Sequence, residues 1–311
     1  MNILVMHVSY HSSIGVIKQL RKIDKYNIKI IGCSSIKQGY NPGTVLTDIF
    51  YQTPNPSSNE YLGFVTNICK LEKIDFIFSP EEEDFRLFTI NKINLNCIYA
   101  NIDILDTFQN KHHATNILKN LGILTPKIIK NNYVAGKDYI ARKYISTCSK
   151  GIKIFNFSEK INKTLFDKNE YFIQEFIDGT EYTVDVLTDK NGNPIIIIPR
   201  IRIKVRTGIT VTCIIDKNAK IIETTKLIYK HFKIPGFSNV QFIVKDGEVY
   251  FIELNPRIGG TTIASSLASI NLIELYLDHY YFSKELKNFE YYMNKVKWGS
   301  IISRYYEETI Y

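Results

Sequence analysis

The stretch Asn239-Val240-Gln241-Phe242-Ile243-Val244-Lys245-Asp246-Gly247-Glu248-Val249-Tyr250-Phe251-Ile252-Glu253-Leu254-Asn255-Pro256-Arg257 decides the fold. Two β-branched and aromatic runs flank the turn signal Lys245-Asp246-Gly247-Glu248, so the stretch reads as a β-hairpin. Side chains alternate between the faces of a strand, which puts Glu253 and Asn255 on one face. Both carry oxygen donors of the kind Mg2+ takes. Gln241 adds a third donor only if it shares that face, and register decides this. A two-residue Asp246-Gly247 turn sets Gln241 opposite Ile252, on the wrong face. An odd loop over 245–247, or one residue longer at each end, sets it opposite Phe251 and on the face of Glu253. The expectation is an odd loop with Gly247 left-handed. Arg257, just past Pro256, is placed to grip phosphate oxygens and to stabilise charge in a transition state. The plainer reading is a half-buried hairpin with a polar edge. An acid and an amide on one face of an otherwise apolar strand speak against it, because a buried carboxylate needs partners.

These residues resemble the metal-binding hairpin of ATP-grasp enzymes, above all the carbamoyl-phosphate synthetase large chain and its single-copy relatives. The resemblance implies that Gln241, Glu253 and Asn255 hold Mg2+ (or Mn2+) bridging the phosphates of ATP. Upstream, Ile173-Gln174-Glu175-Phe176-Ile177-Asp178-Gly179-Thr180-Glu181-Tyr182 resembles the hinge of that family. This implies Glu175 and Ile177 at the adenine and Glu181 at the ribose hydroxyls. Arg142, ahead of the small-residue loop 146–151, is similar to the cation that precedes the family's phosphate flap. That implies Arg142, Ser149 and Gly151 over the phosphates. Two departures stand out: Lys143 replaces the customary proline, and the loop is poor in glycine.

Arg200, Arg202, Lys204 and Arg206 alternate with Ile201, Ile203 and Val205, which predicts four cations on one strand face. Such a face is either solvated or supplies one or two arginines to a carboxylate or acyl phosphate. After Arg257, Ile258-Gly259-Gly260-Thr261-Thr262 opens a helix whose free N–H groups suit an anion. Arg202, Gly259, Gly260 and Thr261 are the expected lining of the acceptor site.

The first hundred residues read differently. A strand over 3–8, the loop His11-Ser12-Ser13-Ile14-Gly15, a helix over 16–25 and a strand over 28–32 form a βαβ unit, hence a parallel sheet. The loop falls where phosphate-binding loops sit, without being GxGxxG. A strand over 75–79 precedes Glu81-Glu82-Glu83-Asp84. That acidic run is either the first turn of a helix or the border of a pocket. A helix is predicted over 110–121, then strands over 139–143, 152–157, 171–176, 182–188, 194–205 and 211–215. The fold class is α/β plus α+β. A Rossmann-like parallel-sheet domain over 1–106 precedes a two-subdomain ATP-grasp fold. Its small subdomain with the flap spans 107–174, and its large subdomain with the metal site spans 175–311.

Composition narrows the function classes. With 45% apolar and 23% charged residues the chain reads as an ordinary soluble globular protein. No apolar run reaches the ~18–20 residues that cross a bilayer, and the start reads as a strand rather than a leader, so the expected compartment is the cytoplasm. Five scattered cysteines read as free thiols. The net charge of +8 comes from dispersed lysines, so neither nucleic acid nor membrane is an expected partner. A homodimer is the usual prior. The expected activity is an ATP- and Mg-dependent ligase that joins a small carboxylate to an amine through an acyl phosphate. One ATP-grasp unit and no glutaminase segment imply that carbamoyl phosphate is not made by this chain alone. Two rivals remain: phosphorylation of bicarbonate or another carboxylate on the same fold, and a nucleotide-binding regulatory subunit without turnover.

Overall fold

The protein's computed structural model describes residues 1–93, 95–130, 134, 136–146, 151–156, 170–305 and 307–310. Its first sheet holds β1 (Asn2–Val5), β2 (Lys29–Ser34), β3 (Ile49–Gln52) and β4 (Phe76–Phe78), all parallel, in the order β3-β2-β1-β4. Between and after them lie α1 (His11–Leu20), α2 (Gly43–Leu46), α3 (Tyr61–Leu71) and α4 (Glu82–Ile90). The strand order reverses between β1 and β4. Open parallel sheets bind ligands at such a point, beyond the carboxyl ends of the strands. His7, with φ 50, and the start of α4 occupy that crevice.

The segment His11–Gly15, expected as a loop, is instead the first turn and a half of α1, which starts at His11 rather than at Val16. Ser12 and Ser13 are buried, and Ser13 Oγ donates to the Met6 carbonyl at 2.7 Å. A serine bonded back to the strand end has no hydroxyl left for a phosphate. The acidic run does form a helix's first turn, with Glu82, Glu83 and Asp84 where the dipole favours them.

Two further helices, α5 (Ile102–Gln109) and α6 (Lys111–Asn120), lead into a small antiparallel sheet, order β5-β8-β6-β7. Its strands are β5 (Ile128–Ile129), β6 (Asp138–Lys143), β7 (Lys153–Asn156) and β8 (Tyr171–Glu175). The large sheet is antiparallel throughout, in the order β13-β12-β9-β10-β11-β14. It contains β9 (Thr180–Thr188), β10 (Pro194–Arg206), β11 (Ile209–Ile215), β12 (Phe237–Lys245), β13 (Glu248–Asn255) and β14 (Ile301–Ser303). The remaining helices are α7 (Ala219–His231), α8 (Thr262–Leu267), α9 (Leu272–Tyr280) and α10 (Phe289–Met293).

Asparagine starts many of these helices. Asn101, Asn110, Asn218, Asn271 and Asn288 each accept a backbone N–H of the first turn, before α5, α6, α7, α9 and α10. Each such cap stabilises by about 1 kcal/mol and fixes where the helix begins. Asn110 thereby places Lys111 at the first position of α6. One apolar core joins the parallel sheet to the large sheet, from Ile3 and Phe78 to Val184 and Phe251. The buried Tyr139, Ala141 and Phe172 of the small sheet lie outside that core. No helix among the described residues is long and apolar enough to cross a membrane.

Candidate functional site

The 239–255 hairpin has an even turn, not the odd loop expected. Lys245 pairs with Glu248, and Asp246 (φ 50) and Gly247 (φ 75) form a two-residue turn with both residues left-handed. Such a turn matches the strand twist. Gln241 nevertheless reaches the face of Glu253, by another route. The ladder slips between Gln241 and Phe242: Phe242 faces Phe251, while Gln241 faces Glu253 directly. Ile252 is the extra residue of a β-bulge, which corrects the parity that the turn alone would get wrong.

The bulge also serves the neighbouring sheet. Arg142 of β6 donates through Nη1 to the Ile252 carbonyl at 3.1 Å, and its Nη2 lies 3.3 Å from Glu253 Oε2. Lys111 Nζ stands 3.9 Å from the same carboxylate and donates to the Ser146 carbonyl at 2.6 Å. Asn255 Nδ2 donates to Glu253 Oε1 at 3.2 Å, and Arg257 Nη2 donates to Asn255 Oδ1 at 3.3 Å. Arg257 Nε lies 3.6 Å from Glu82 Oε1, so the start of α4 borders the same site.

Charge explains the proton states. Burial pushes the Glu253 carboxyl up, but Lys111 and Arg142 outweigh it and hold it below the usual carboxylate range. Burial lowers both Lys111 and Arg142 against the pull of Glu253. Burial raises Glu82 despite the Arg257 guanidinium. The centre therefore sets the Glu253 carboxylate among Lys111, Arg142 and Arg257, an arrangement poised to accept more negative charge.

The other expected residues fall on both sides of this centre. Glu181 is half-exposed and ion-paired at 3.2 Å with Arg202, whose Nε also donates to Thr210 Oγ1 at 3.1 Å. Ile177 is buried. Gly151 has φ +77, and a Cβ there would meet the Tyr171 hydroxyl at 3.0 Å. Ser149 lies outside the described residues, as do residues 147–150 of the flap. The Glu175 carboxylate turns to the small sheet's edge and accepts from the Lys127 N–H at 2.9 Å. Gly259 packs so closely on Asn239 that a Cβ would come within 2.9 Å of its Nδ2, whereas Gly260 faces open space. Thr261 is buried just before α8 and makes no side-chain cap there, and the hydroxyl of the helix's first residue, Thr262 Oγ1, already takes the Gly259 N–H at 3.0 Å.

The four-cation face does not exist. Register shifts after Arg202 and after Lys204 break the alternation. Arg200 is wholly buried in an ion pair with Asp185 at 2.8 Å, Arg202 is nearly buried, and Lys204 and Arg206 are exposed. Two residues of the site escaped sequence reasoning. Lys111 was legible only through its asparagine cap. Arg304, just after β14, donates to the Gly260 carbonyl from a strand too short and too far along the chain to foresee.

Comparison with known proteins agrees with this architecture. Residues 108–261 match the family model described as the ATP-grasp domain. The chain is 24% identical over 312 residues to the carbamoyl phosphate synthase large chain of Clostridium beijerinckii, across 85% of this chain and 27% of that one. It is 30% identical over 229 residues to the tyramine–L-glutamate ligase of Methanocaldococcus jannaschii, across 70% of this chain and 66% of that one. It thus spans about a quarter of the synthase and about two thirds of the ligase. A solved biotin carboxylase complex from Campylobacter jejuni shares the fold, with TM-score 0.72, 16% identity, and coverage of 96% of this chain and 74% of that one.

Proposed function

This chain carries an ATP-grasp domain, and we propose that it is an ATP- and Mg-dependent ligase that joins a small carboxylate to an amine, releasing ADP and phosphate. The observation that carries the reading is the direct pairing of Gln241 with Glu253, two residues before Asn255, beneath Arg142 and Lys111. The donor set suits Mg2+ bound jointly with a nucleotide. It offers one carboxylate and two amide oxygens, and Mg2+ commonly takes one or two carboxylates together with phosphates and water. Among the described residues no three His, Cys, Asp or Glu side chains gather, so phosphate oxygens would have to complete the sphere. Bound there by Gln241, Glu253 and Asn255, Mg2+ (or Mn2+) would neutralise phosphate charge.

In this reading residues 1–106 wall the site, 107–174 cover the nucleotide and 175–311 form its floor. Ile177 and Glu175 sit at the adenine and Glu181 at the ribose. Arg142, Ser149 and Gly151 hold the phosphates, with Lys111 beside them. The carboxylate oxygen attacks the γ-phosphorus and ADP departs, while Arg257 and Arg142 steady the transferring charge. The acyl phosphate forms near Arg202, Gly259, Gly260 and Thr261. The amine nitrogen then attacks its carbonyl carbon, phosphate leaves and the nitrogen loses a proton. The name of one relative, tyramine–L-glutamate ligase, supports an amino acid as one substrate.

The test is ADP release from MgATP over amino acids, small carboxylates and amines, singly and in pairs. The proposal expects release that needs a carboxylate and rises when an amine is added. Release sustained by bicarbonate alone would favour a carboxylating reaction. MgATP binding with no release in any mixture would favour the regulatory reading.

A further inference from the structure

The segment from Asn255 to Thr262 carries Arg257 and the three loop residues assigned to the acceptor, yet it is a loop and needs an anchor. Asp185 of β9, on the same face of the sheet as Gln241 and Glu253, is the buried group that provides one. Its two oxygens take four donors from three other elements. Oδ1 accepts from Asn239 Nδ2 of β12 at 3.2 Å and from Thr262 Oγ1 of α8 at 2.9 Å. Oδ2 accepts from Arg200 Nε of β10 at 2.8 Å and from Ser265 Oγ of α8 at 2.5 Å. A carboxylate has about four lone-pair positions, so this one is saturated and has none left for a metal or a substrate proton.

Both ends of the loop depend on it. Asn239 sits directly opposite Asn255 in the ladder, where the loop begins. Thr262, where it ends, donates to Asp185 and accepts the Gly259 N–H at 3.0 Å. Gly259 itself lies against Asn239 with no room for a Cβ.

We propose that Asp185 is a positioning residue, which clamps the loop 255–262 to the sheet so that Arg257 keeps its place beside the phosphoryl group being transferred. This rests on the function proposed above, because without phosphoryl transfer there is nothing for Arg257 to stabilise. A clamp of this kind acts after nucleotide binding. The Gln241–Glu253 pair is held by its own ladder, so loosening the loop leaves MgATP affinity alone and weakens only interactions specific to the transferring group.

Asp185→Asn alone is a poor test, since Arg200 is wholly buried and its terminal nitrogens find, among the described residues, no acceptor better than the weak one of the Cys213 sulfur. Thr262→Val and Ser265→Ala cut the loop from Asp185 while leaving the Asp185–Arg200 pair. The probe is MgADP titrated calorimetrically with and without aluminium fluoride, a mimic of the phosphoryl group in flight. The wild-type chain is expected to bind MgADP more tightly with fluoride. The two variants should lose about tenfold or more of that gain, with MgATP affinity within about threefold of wild type. Asp185→Asn, where it folds, should behave likewise, and Asp185→Glu should recover part of the gain. Variants that are merely less heat-stable and keep the full gain overturn the clamp. A wild-type chain that binds MgATP without any fluoride-dependent gain also overturns it, while one that binds no MgATP overturns the proposed function first.

Discussion

Arg142 donates to the carbonyl of Ile252, the residue that interrupts the β12–β13 ladder, at 3.1 Å. The irregularity that brings Gln241 opposite Glu253 thus also frees a carbonyl for the cation of the covering sheet. A bulge leaves its extra residue outside the ladder, and here that residue is used.

Arg142→Met tests the coupling of the two sheets. Removing Arg142 takes one of its cations from the part-buried Glu253, at a cost of about 2 kcal/mol. Urea unfolding at neutral pH without nucleotide should show a loss of that order. The sign with pH follows from Glu253, whose folded pKa lies below the ordinary value of 4.5. Its stabilisation is present above that value and is lost as pH falls through the folded pKa. Wild type and Arg142→Met should converge in acid, and a gap that widens there contradicts the pairing.

Gly259→Ala should separate binding from turnover. The added methyl meets Asn239 Nδ2 at 2.9 Å and Thr262 Oγ1 at 3.1 Å. The loop must move by tenths of an ångström while the Gln241–Glu253 ladder stays. The expected result is a fall in kcat of about tenfold to a hundredfold, with little change in the KM for ATP. The same substitution at Gly260, where a Cβ meets nothing, should leave the backbone undisturbed.

His7, beside the parallel sheet, supplies a pH prediction. Burial pulls its pKa down, but the Asp84 carboxylate at 2.8 Å outweighs this and leaves it above 6.5. A raised folded pKa means stabilisation that is full below the unfolded value and fades as pH rises through the folded one. His7→Gln should therefore lose more stability at pH 5.5 than at pH 9, read as the shift in denaturation midpoint. An equal loss at both would show that His7 is neutral in the folded chain.

Much of this was legible because strands announce themselves by alternation and turns by Gly, Asn and Asp. The predicted strand over 139–143 is Asp138–Lys143, and that over 194–205 is Pro194–Arg206. What escaped depends on tertiary register. No local rule places a bulge at Ile252, so the turn has the other parity from that expected while Gln241 still lies on the face of Glu253. The alternating arginines of β10 read as one face, but two register shifts and the need of Asp185 for a buried cation divided them. The small residues of His11–Gly15 read as a loop, yet the Met6 carbonyl takes the Ser13 hydroxyl and the helix starts early.

The central claim is that Gln241, Glu253 and Asn255 hold a divalent cation under a nucleotide. Its most direct measurement is calorimetric titration of ATP, with excess Mg2+ and with EDTA, into the wild-type chain and into Gln241→Ala and Glu253→Gln. The account predicts that Mg2+ tightens wild-type binding by about tenfold or more, since each 1.4 kcal/mol of interaction is a factor of ten. Both variants should lose most of that gain and keep Mg-free binding. Variants that retain the full magnesium dependence, or a wild-type chain whose ATP affinity ignores magnesium, would contradict it.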